Sequence, residues 1–255
     1  MSSSPARLPR SKWSRHSAVR LIRRKWPRGR VSRILQTNVK IVYSHMKRTQ
    51  VASLNPRKLP AQVRSVATVD AILQAAIQVL LADGFEKMST TRIAERAGVS
   101  VGSFYQYFPN KRALLAALVQ RHVSEVAARA ERACQAVQGA TIREMCKTIV
   151  NAFIDAKTER ADLSRALYLP AAVVGGAAIV KAQSDRVGNA VAAMLQTASD
   201  ASFEQPKLLS LVLVTAVVGP MQAVLEMGAN PELIARLRQQ LTALCVGYLI
   251  EAARR

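Results

Sequence analysis

The short segment 100–108 carries side chains that could read the edges of DNA bases. Ser100, Ser103 and Gln106 supply hydroxyl and amide groups that can donate and accept hydrogen bonds. Gly102 has no side chain, so the backbone there could approach a nucleic acid closely, at a cost of up to ~1 kcal/mol in helix propensity. A short helix of this kind is slim enough at its N-terminal end to enter a major groove.

Two short helices joined by a tight turn are predicted to position this segment. Ser89 is a good N-cap for the first helix and Ser100 for the second. Gly98 can end the first helix because glycine adopts the left-handed conformation readily. Phe104 and Phe108 are expected to hold the second helix against the helices before it. The pattern over residues 89–108 is typical of a helix-turn-helix.

The net charge favours a polyanionic partner. The 255-residue chain has 37 Lys and Arg against 16 Asp and Glu, a formal charge of +21. Residues 1–45 contain 12 basic and no acidic residues, whereas residues 46–122 carry +7 and residues 123–255 carry +2. We expect residues 1–60 to form a basic, disordered tail, because they lack apolar periodicity. Met46 is an alternative start for the chain.

The rest of the sequence predicts helices throughout, so the expected fold class is all-α. Apolar residues recur at spacings of three and four from residue 66 to residue 80, which predicts a first helix over 62–82. Asn230 and Pro231 are an N-cap and first-turn pair that predicts the start of the last helix. The other predicted helices lie near 141–157, 161–169, 175–199, 207–228 and 231–252.

The motifs of common enzyme classes are missing from the sequence. It contains no GxSxG, Walker A, GxGxxG or HExxH pattern. His122 is the single histidine after residue 64, which leaves acid–base and metal sites without parts. Cys134, Cys146 and Cys245 form no CxxC pair. We therefore expect no enzyme, no catalytic residues, no metal and no cofactor.

Residues 64–119 contain the long pattern TT-x-IA-x-x-AGVS-x-G-x-FY-x-YF-x-x-K-x-x-LL. This segment resembles the TetR family of bacterial transcriptional regulators. The resemblance implies a three-helix helix-turn-helix DNA-binding domain over residues 61–122 and a helical ligand-binding and dimerisation domain over residues 123–255. It also implies a homodimer that represses at a double-stranded DNA operator and releases it when a small-molecule effector binds.

The family's DNA contacts can be carried onto matching positions of this chain. Many members have Lys where this chain has Val101, and valine favours contact with a thymine methyl over guanine. Gln106 could pair with adenine through two hydrogen bonds. The implied phosphate contacts are Ser89 or Thr90, Tyr105, Tyr107 and Lys111. The implied base contacts are Ser100, Val101, Gly102, Ser103 and Gln106.

The second domain contains candidates for an effector pocket and for a dimer interface. The pocket candidates are apolar or adaptable side chains without charge, which favours a hydrophobic effector: Met145, Phe153, Tyr168, Val174 and Met194. The last two helices, within 207–252, are long and apolar. By resemblance to the family, we expect them to form a four-helix bundle with a second subunit.

Two alternative functions remain open. The basic tail could make the chain a nonspecific, nucleoid-like nucleic-acid-binding protein. The uncharged run 208–225 could make it a membrane-peripheral helical protein, although Gly219 and Pro220 interrupt the run and we expect no stable membrane association. Neither alternative explains the helix-turn-helix pattern, so we expect a cytoplasmic, nucleoid-associated regulator.

Overall fold

A computed structural model describes residues 63–253, which form ten α-helices and no strand. The all-α prediction is therefore confirmed. The expected tail and Met46 lie outside the described residues. The helices are α1 Val63–Lys87, α2 Thr90–Arg96, α3 Val101–Tyr107, α4 Lys111–Ala136, α5 Ile142–Thr158, α6 Ala161–Ala166, α7 Tyr168–Val173, α8 Ala177–Leu195, α9 Pro206–Glu226 and α10 Pro231–Ala253.

The first helix differs from the prediction at its C-terminal end. The predicted end at residue 82 lies just before Gly84, whose φ of 78° and ψ of 168° are non-helical and suit a residue without a side chain. The chain turns helical again after Gly84 and continues to Lys87. Phe85 packs against the buried core formed by α1 to α4, so the glycine produces a break within α1.

Helices α1 to α4 enclose a first apolar core. Ile72 of α1, Ile93 of α2, Phe104 of α3 and Leu114 of α4 are each completely buried there. The core also contains residues from beyond α4, because Leu167 at the α6–α7 junction packs against it. The helix-turn-helix region is thus packed against Leu167, which follows its last residue by about sixty positions.

A single helix over 161–169 is predicted from the sequence, but the structure divides this region into α6 and α7. Leu167 lies between the two helices. Pro170 explains the division, since proline has no N–H to donate to the carbonyl of the residue four positions earlier. Leu167, between the two helices, is buried in the first core.

A second apolar core lies among α4, α5, α8, α9 and α10. Cys134 of α4, Ile154 of α5, Leu195 of α8, Met221 of α9 and Leu249 of α10 are buried within it. Helix α4 contributes to both cores, the first through Leu114 and its neighbours and the second through Cys134. One continuous helix, α4, therefore packs in both cores and connects them.

Within residues 63–253, two helical segments are long and apolar enough to cross a membrane by length and composition, Val66–Lys87 and Pro206–Glu226. The first lies wholly within α1, whose inner face packs in the first core. The second is α9, which buries one side in the second core and leaves much of its apolar surface open. Length and composition alone are weak support for a membrane span, because core helices of soluble proteins pass the same test.

Candidate DNA-binding surface and ligand cavity

Side-chain caps fix the starts of α2, α3 and α4. The backbone N–H of Arg92 donates to Ser89 Oγ at 3.3 Å, and the N–H of Ser103 donates to Ser100 Oγ at 3.0 Å. The N–H of Ala113 donates to Asn110 Oδ1 at 2.9 Å. These caps satisfy backbone donors that have no partner within the helix, and the N-caps predicted at Ser89 and Ser100 are confirmed.

The outer face of α3 is open to solvent. Val101 and Tyr105 are 39% and 41% exposed, and Gln106 is exposed as well. The amide of Gln106 forms no hydrogen bond with any described residue, so both its donor and its acceptor are available. The inner face of α3 is Phe104, which is completely buried. This division into an anchored side and a free side matches a helix that inserts into a groove.

Gly102 is on the open face of α3 with ordinary helical surroundings. A Cβ atom added there would meet only Ser100 Oγ, at 3.8 Å, which is an ordinary contact. Neither packing nor backbone conformation in the free protein thus requires glycine at this position. The expectation that Gly102 allows a close backbone approach to DNA is compatible with this geometry.

The four implied phosphate contacts have different surroundings in the free protein. The hydroxyls of Thr90 and Tyr105 lie 3.1 Å apart and join α2 to α3. Tyr107 is partly buried and packs against the first core. The Lys111 ammonium donates to the Phe85 carbonyl at 2.8 Å and lies 4.5 Å from the centre of the Phe85 ring. Two of its three N–H donors remain available for a phosphate.

A cavity of ≈ 190 Å³ lies between the two cores. Helices α4, α5, α8, α9 and α10 supply most of its walls, and α6 and α7 close one end. Three of the five predicted pocket residues, Phe153, Tyr168 and Met194, line this cavity. Met145 and Val174 do not line it, because Met145 is packed inside the second core and Val174 inside the first.

The α6–α7 end of the cavity is polar. His122 Nε2 of α4 lies 3.2 Å from Ser164 Oγ of α6. Ser164 donates its own proton to the Lys157 carbonyl at 2.8 Å, so the histidine nitrogen must carry a proton and donate to the serine. Burial, followed by the charges of Lys157 and Arg160, lowers the pKa of His122 to about 4. The imidazole is therefore neutral at physiological pH.

Lys157 and Tyr168 face each other at the same end of the cavity. The Lys157 ammonium is 5.6 Å from the centre of the Tyr168 ring, and burial lowers the pKa of Lys157 to about 8. Burial, followed by the charge of Glu226, raises the pKa of Tyr168 to about 12, so its hydroxyl stays protonated. Lys157 was not among the pocket residues predicted from the sequence, although it lies four residues after Phe153 on the same face of α5.

The remainder of the cavity is apolar apart from two side chains of α8, Gln183 and Ser184. Cys146 and Cys245 lie at the end opposite α6, and burial raises their pKa values to about 12 and about 11. Thiols with such values are protonated and unreactive. This part of the cavity offers a surface for aliphatic or aromatic groups.

Two residues belong both to the cavity wall and to the first core. Val119 of α4 and Leu167 at the α6–α7 junction line the cavity and are buried among the residues of the helix-turn-helix region. Arg112, near the start of α4, also donates from its Nη2 to the Val173 carbonyl at 3.3 Å. The cavity and the candidate DNA-binding surface are therefore connected through directly packed side chains.

Helices α9 and α10 leave an apolar stripe open to solvent. On α9 it comprises Leu208, Leu211 and Val218, and on α10 it comprises Leu244 and Ile250. Spacings of three and seven residues place the α9 side chains on one face. Leu244 and Ile250, six residues apart, lie about 120° apart around α10, on either side of the exposed Gly247. Contiguous exposed apolar surface is typical of a protein–protein interface.

Two family models match the chain in the regions just described. The model of bacterial regulatory proteins of the tetR family matches residues 72–118, and the model of the tetracyclin repressor-like C-terminal domain matches residues 141–249. Together they cover more than half of the chain.

Individual relatives agree with the family models. The HTH-type transcriptional repressor KstR of Mycobacterium tuberculosis is 39% identical over 70 residues, which are 28% of this chain and 31% of that protein. The chain matches less than half the length of this repressor and of its Mycolicibacterium smegmatis counterpart.

Solved structures share the fold at lower identity. A TetR-family regulator from Mesorhizobium loti has a TM-score of 0.61 and 20% identity, covering 74% of this chain and 98% of its own. The regulator FadR of Bacillus subtilis in complex with stearoyl-CoA has a TM-score of 0.55 and 18% identity, covering 69% and 97%. With a helix-turn-helix, a helical second region and matches to both family models, the chain belongs to the TetR family of bacterial transcriptional regulators.

Proposed function

We propose that the protein is a ligand-responsive repressor that binds a DNA operator as a homodimer and releases it when a small molecule fills the cavity. The open face of α3, with the unpartnered amide of Gln106 on a helix anchored by buried Phe104, is the observation that carries the proposal. A buried inner face and a free polar outer face suit a recognition helix.

DNA binding would combine contacts to base edges with contacts to backbone phosphates. Ser100, Val101, Gly102, Ser103 and Gln106 would face base edges, since they occupy the first turns and open side of α3. Thr90, Tyr105, Tyr107 and Lys111 surround that helix with hydroxyl and ammonium donors suited to phosphate oxygens. Ser89 would contribute through the helix start that it caps.

The second copy of the chain would cover the apolar stripe of α9 and α10. Leu211 is 57% exposed and Leu244 51%, which is costly for leucine in an isolated subunit. A twofold dimer with this seam would carry two copies of α3. They would meet successive major grooves when about 34–36 Å apart.

Release of the operator would follow from the two side chains, Val119 and Leu167, that line the cavity and also pack in the core of the DNA-binding region. A ligand that displaces Val119 or Leu167 must also disturb the first core, which includes Phe104 of α3. If the ligand binds more tightly to the form with misplaced recognition helices, linkage requires that it weaken operator binding by the same factor. We further propose that the protein acts in the cytoplasm, associated with the nucleoid, and has no enzymatic activity.

A selection from random DNA tests the proposal. The full chain is mixed with a pool of random duplexes, bound duplexes are enriched and sequenced, and affinities are measured by fluorescence anisotropy over a salt series. We expect a pseudo-palindromic motif with half-sites one helical turn apart. Equal affinity for all duplexes would contradict the proposal and favour a nonspecific nucleic-acid-binding protein.

A further inference from the structure

Lys157 is a half-buried cation whose ammonium has no counterion among the described residues. Its ammonium forms no hydrogen bond or ion pair with any residue in the described part of the chain, and its one recorded contact is with the face of the Tyr168 ring. Among the described residues that line the cavity, none is acidic and no other is Lys or Arg. A charge removed from water is costly unless it is paired.

The neighbouring carboxylates of α5 are already engaged elsewhere. Asp155 accepts a hydrogen bond from Arg238 at 2.6 Å, and Glu159 pairs with Arg129. Both acids are exposed on the outer side of the helix, whereas Lys157 faces the cavity. The acidic side chains on the outer side of α5 are thus paired with arginines, whereas the Lys157 ammonium at the cavity is not paired with any described acid.

We propose that the effector is an organic anion with a single carboxylate that pairs with the Lys157 ammonium, and with an apolar body that extends toward Cys146 and Cys245. This proposal deepens the proposed function and rests on it, because it names the chemical class of ligand for the same cavity. It departs from the sequence-based expectation of an uncharged hydrophobic effector.

The groups around Lys157 suit a carboxylate. His122 is neutral and so adds no second positive charge that would call for a dianion. Tyr168 keeps its phenolic proton and can donate to the second carboxylate oxygen. A charge-assisted bond from the ammonium together with a phenol bond would hold the head group in one orientation.

The dimensions of the cavity suit an apolar body of modest size. Cys146 and Lys157 are on the same helix, and eleven residues of α-helix span roughly 16 Å. Ile149, Val150 and Phe153 line the interval. A volume of ≈ 190 Å³ is larger than the cavity of about 150 Å³ that accommodates benzene in an engineered protein.

A matched pair of ligands tests this inference. Octanoate and octanol have the same chain length and differ in the charged head group. Their affinities for the full chain are measured by displacement of the uncharged fluorophore N-phenyl-1-naphthylamine. The variants are Lys157→Met, which removes the charge and keeps an unbranched side chain, and Lys157→Arg, which keeps the charge. Lys147→Met is the control, because Lys147 is exposed on the same helix.

We expect wild type, Lys157→Arg and Lys147→Met to bind octanoate at least ~10-fold more tightly than octanol, as is typical of a hydrogen bond to a charged group. Lys157→Met should bind the two compounds with similar affinity. Thermal unfolding of each variant confirms that it folds. The proposal is overturned if wild type binds octanol as tightly as octanoate, if neither compound displaces the fluorophore, or if folded Lys157→Met keeps the preference.

Operator binding by the same wild-type sample, without either compound, separates this inference from the function on which it rests. Loss of carboxylate preference with intact operator binding overturns only the ligand class. A failure to bind any operator while octanoate preference persists overturns the proposed function and supports the carboxylate site.

Discussion

His122 Nε2 and Ser164 Oγ lie 3.2 Å apart and join α4 to α6 at the polar end of the cavity. Both residues line the cavity, and each lies close in sequence to a residue of the first core, His122 to Val119 and Ser164 to Leu163. A ligand that enters between these helices must therefore act on a hydrogen bond whose two partners are each tied to the DNA-binding region.

Stability should fall when His122 is forced to take up a proton. Its pKa is about 4 in the folded chain, chiefly through burial, against the ordinary histidine value of 6.5. Below pH 6.5 the unfolded chain binds the extra proton and the folded chain does not, so the free energy of unfolding falls as the pH decreases. Between pH 7 and pH 5 we expect this residue to account for about 2 kcal/mol.

Urea unfolding of wild type and His122→Gln at both pH values measures that contribution. The glutamine variant should lose less stability on acidification than wild type, because it has no proton to gain at that position. Identical losses in the two proteins would show that His122 does not control the acid sensitivity.

Replacing the half-buried Lys157 should stabilise the ligand-free protein. Burial lowers the pKa of Lys157 to about 8 from 10.5, so at pH 7 the charged side chain destabilises the folded state, and this penalty disappears as the pH rises from about 8 to about 10.5. We expect Lys157→Met to raise the free energy of unfolding at pH 7 by about 1–3 kcal/mol in the absence of ligand. Chemical denaturation measures the free energy of unfolding of each variant. The control variant Lys147→Met should have nearly the wild-type value. A Lys157→Met protein less stable than wild type would contradict the prediction and show that Lys157 stabilises the fold.

Adding one methyl group to α3 at Gly102 should lower operator affinity without lowering stability. Since a Cβ atom at Gly102 meets nothing closer than 3.8 Å, Gly102→Ala should leave stability unchanged or raise it by up to ~1 kcal/mol. Operator affinity should fall, because the methyl group holds the backbone away from the bases. Thermal unfolding and operator titration of the same preparation give both quantities. Undiminished affinity would mean that the backbone at Gly102 does not approach DNA closely.

Charge on the apolar stripe should dissociate the proposed dimer. Leu211→Glu places a carboxylate in the proposed seam, so we expect monomers by light scattering and weak operator binding. Leu169→Glu is the matched control, since Leu169 has the same 57% exposure as Leu211 but lies on α7, away from the seam. If Leu211→Glu stays dimeric, or if its monomers bind the operator as well as wild type, the α9–α10 seam is wrong.

The helix starts were predictable from the sequence because their cause is local. Ser89, Ser100, Asn110 and Asn230 each accept a hydrogen bond from a backbone N–H three residues later, so neighbouring residue types suffice to locate them. The division of α6 from α7 also has a local cause in Pro170, although apolar periodicity alone did not reveal it.

The cavity was only partly predictable because its shape depends on distant helices. Phe153, Tyr168 and Met194 were predicted as pocket residues and line it, but Met145 is an apolar residue of the same kind that packs into the core instead. Lys157 was missed since a lysine is usually solvated. Its spacing from Phe153 on α5 was a usable signal, whereas the packing of Leu167 against the first core was not visible in the sequence.

A comparison of Gln106→Ala with wild type shows whether α3 reads DNA bases. Both proteins are titrated with an operator obtained from the random pool and with all its single-base-pair variants. Tyr105→Phe, which removes a proposed phosphate contact, should weaken binding to every variant alike. Gln106→Ala should instead lose discrimination at one base pair of each half-site, worth ~1–3 kcal/mol, and keep it elsewhere. If Gln106→Ala retains the wild-type preference at every position, α3 does not read DNA through this residue and the account is contradicted.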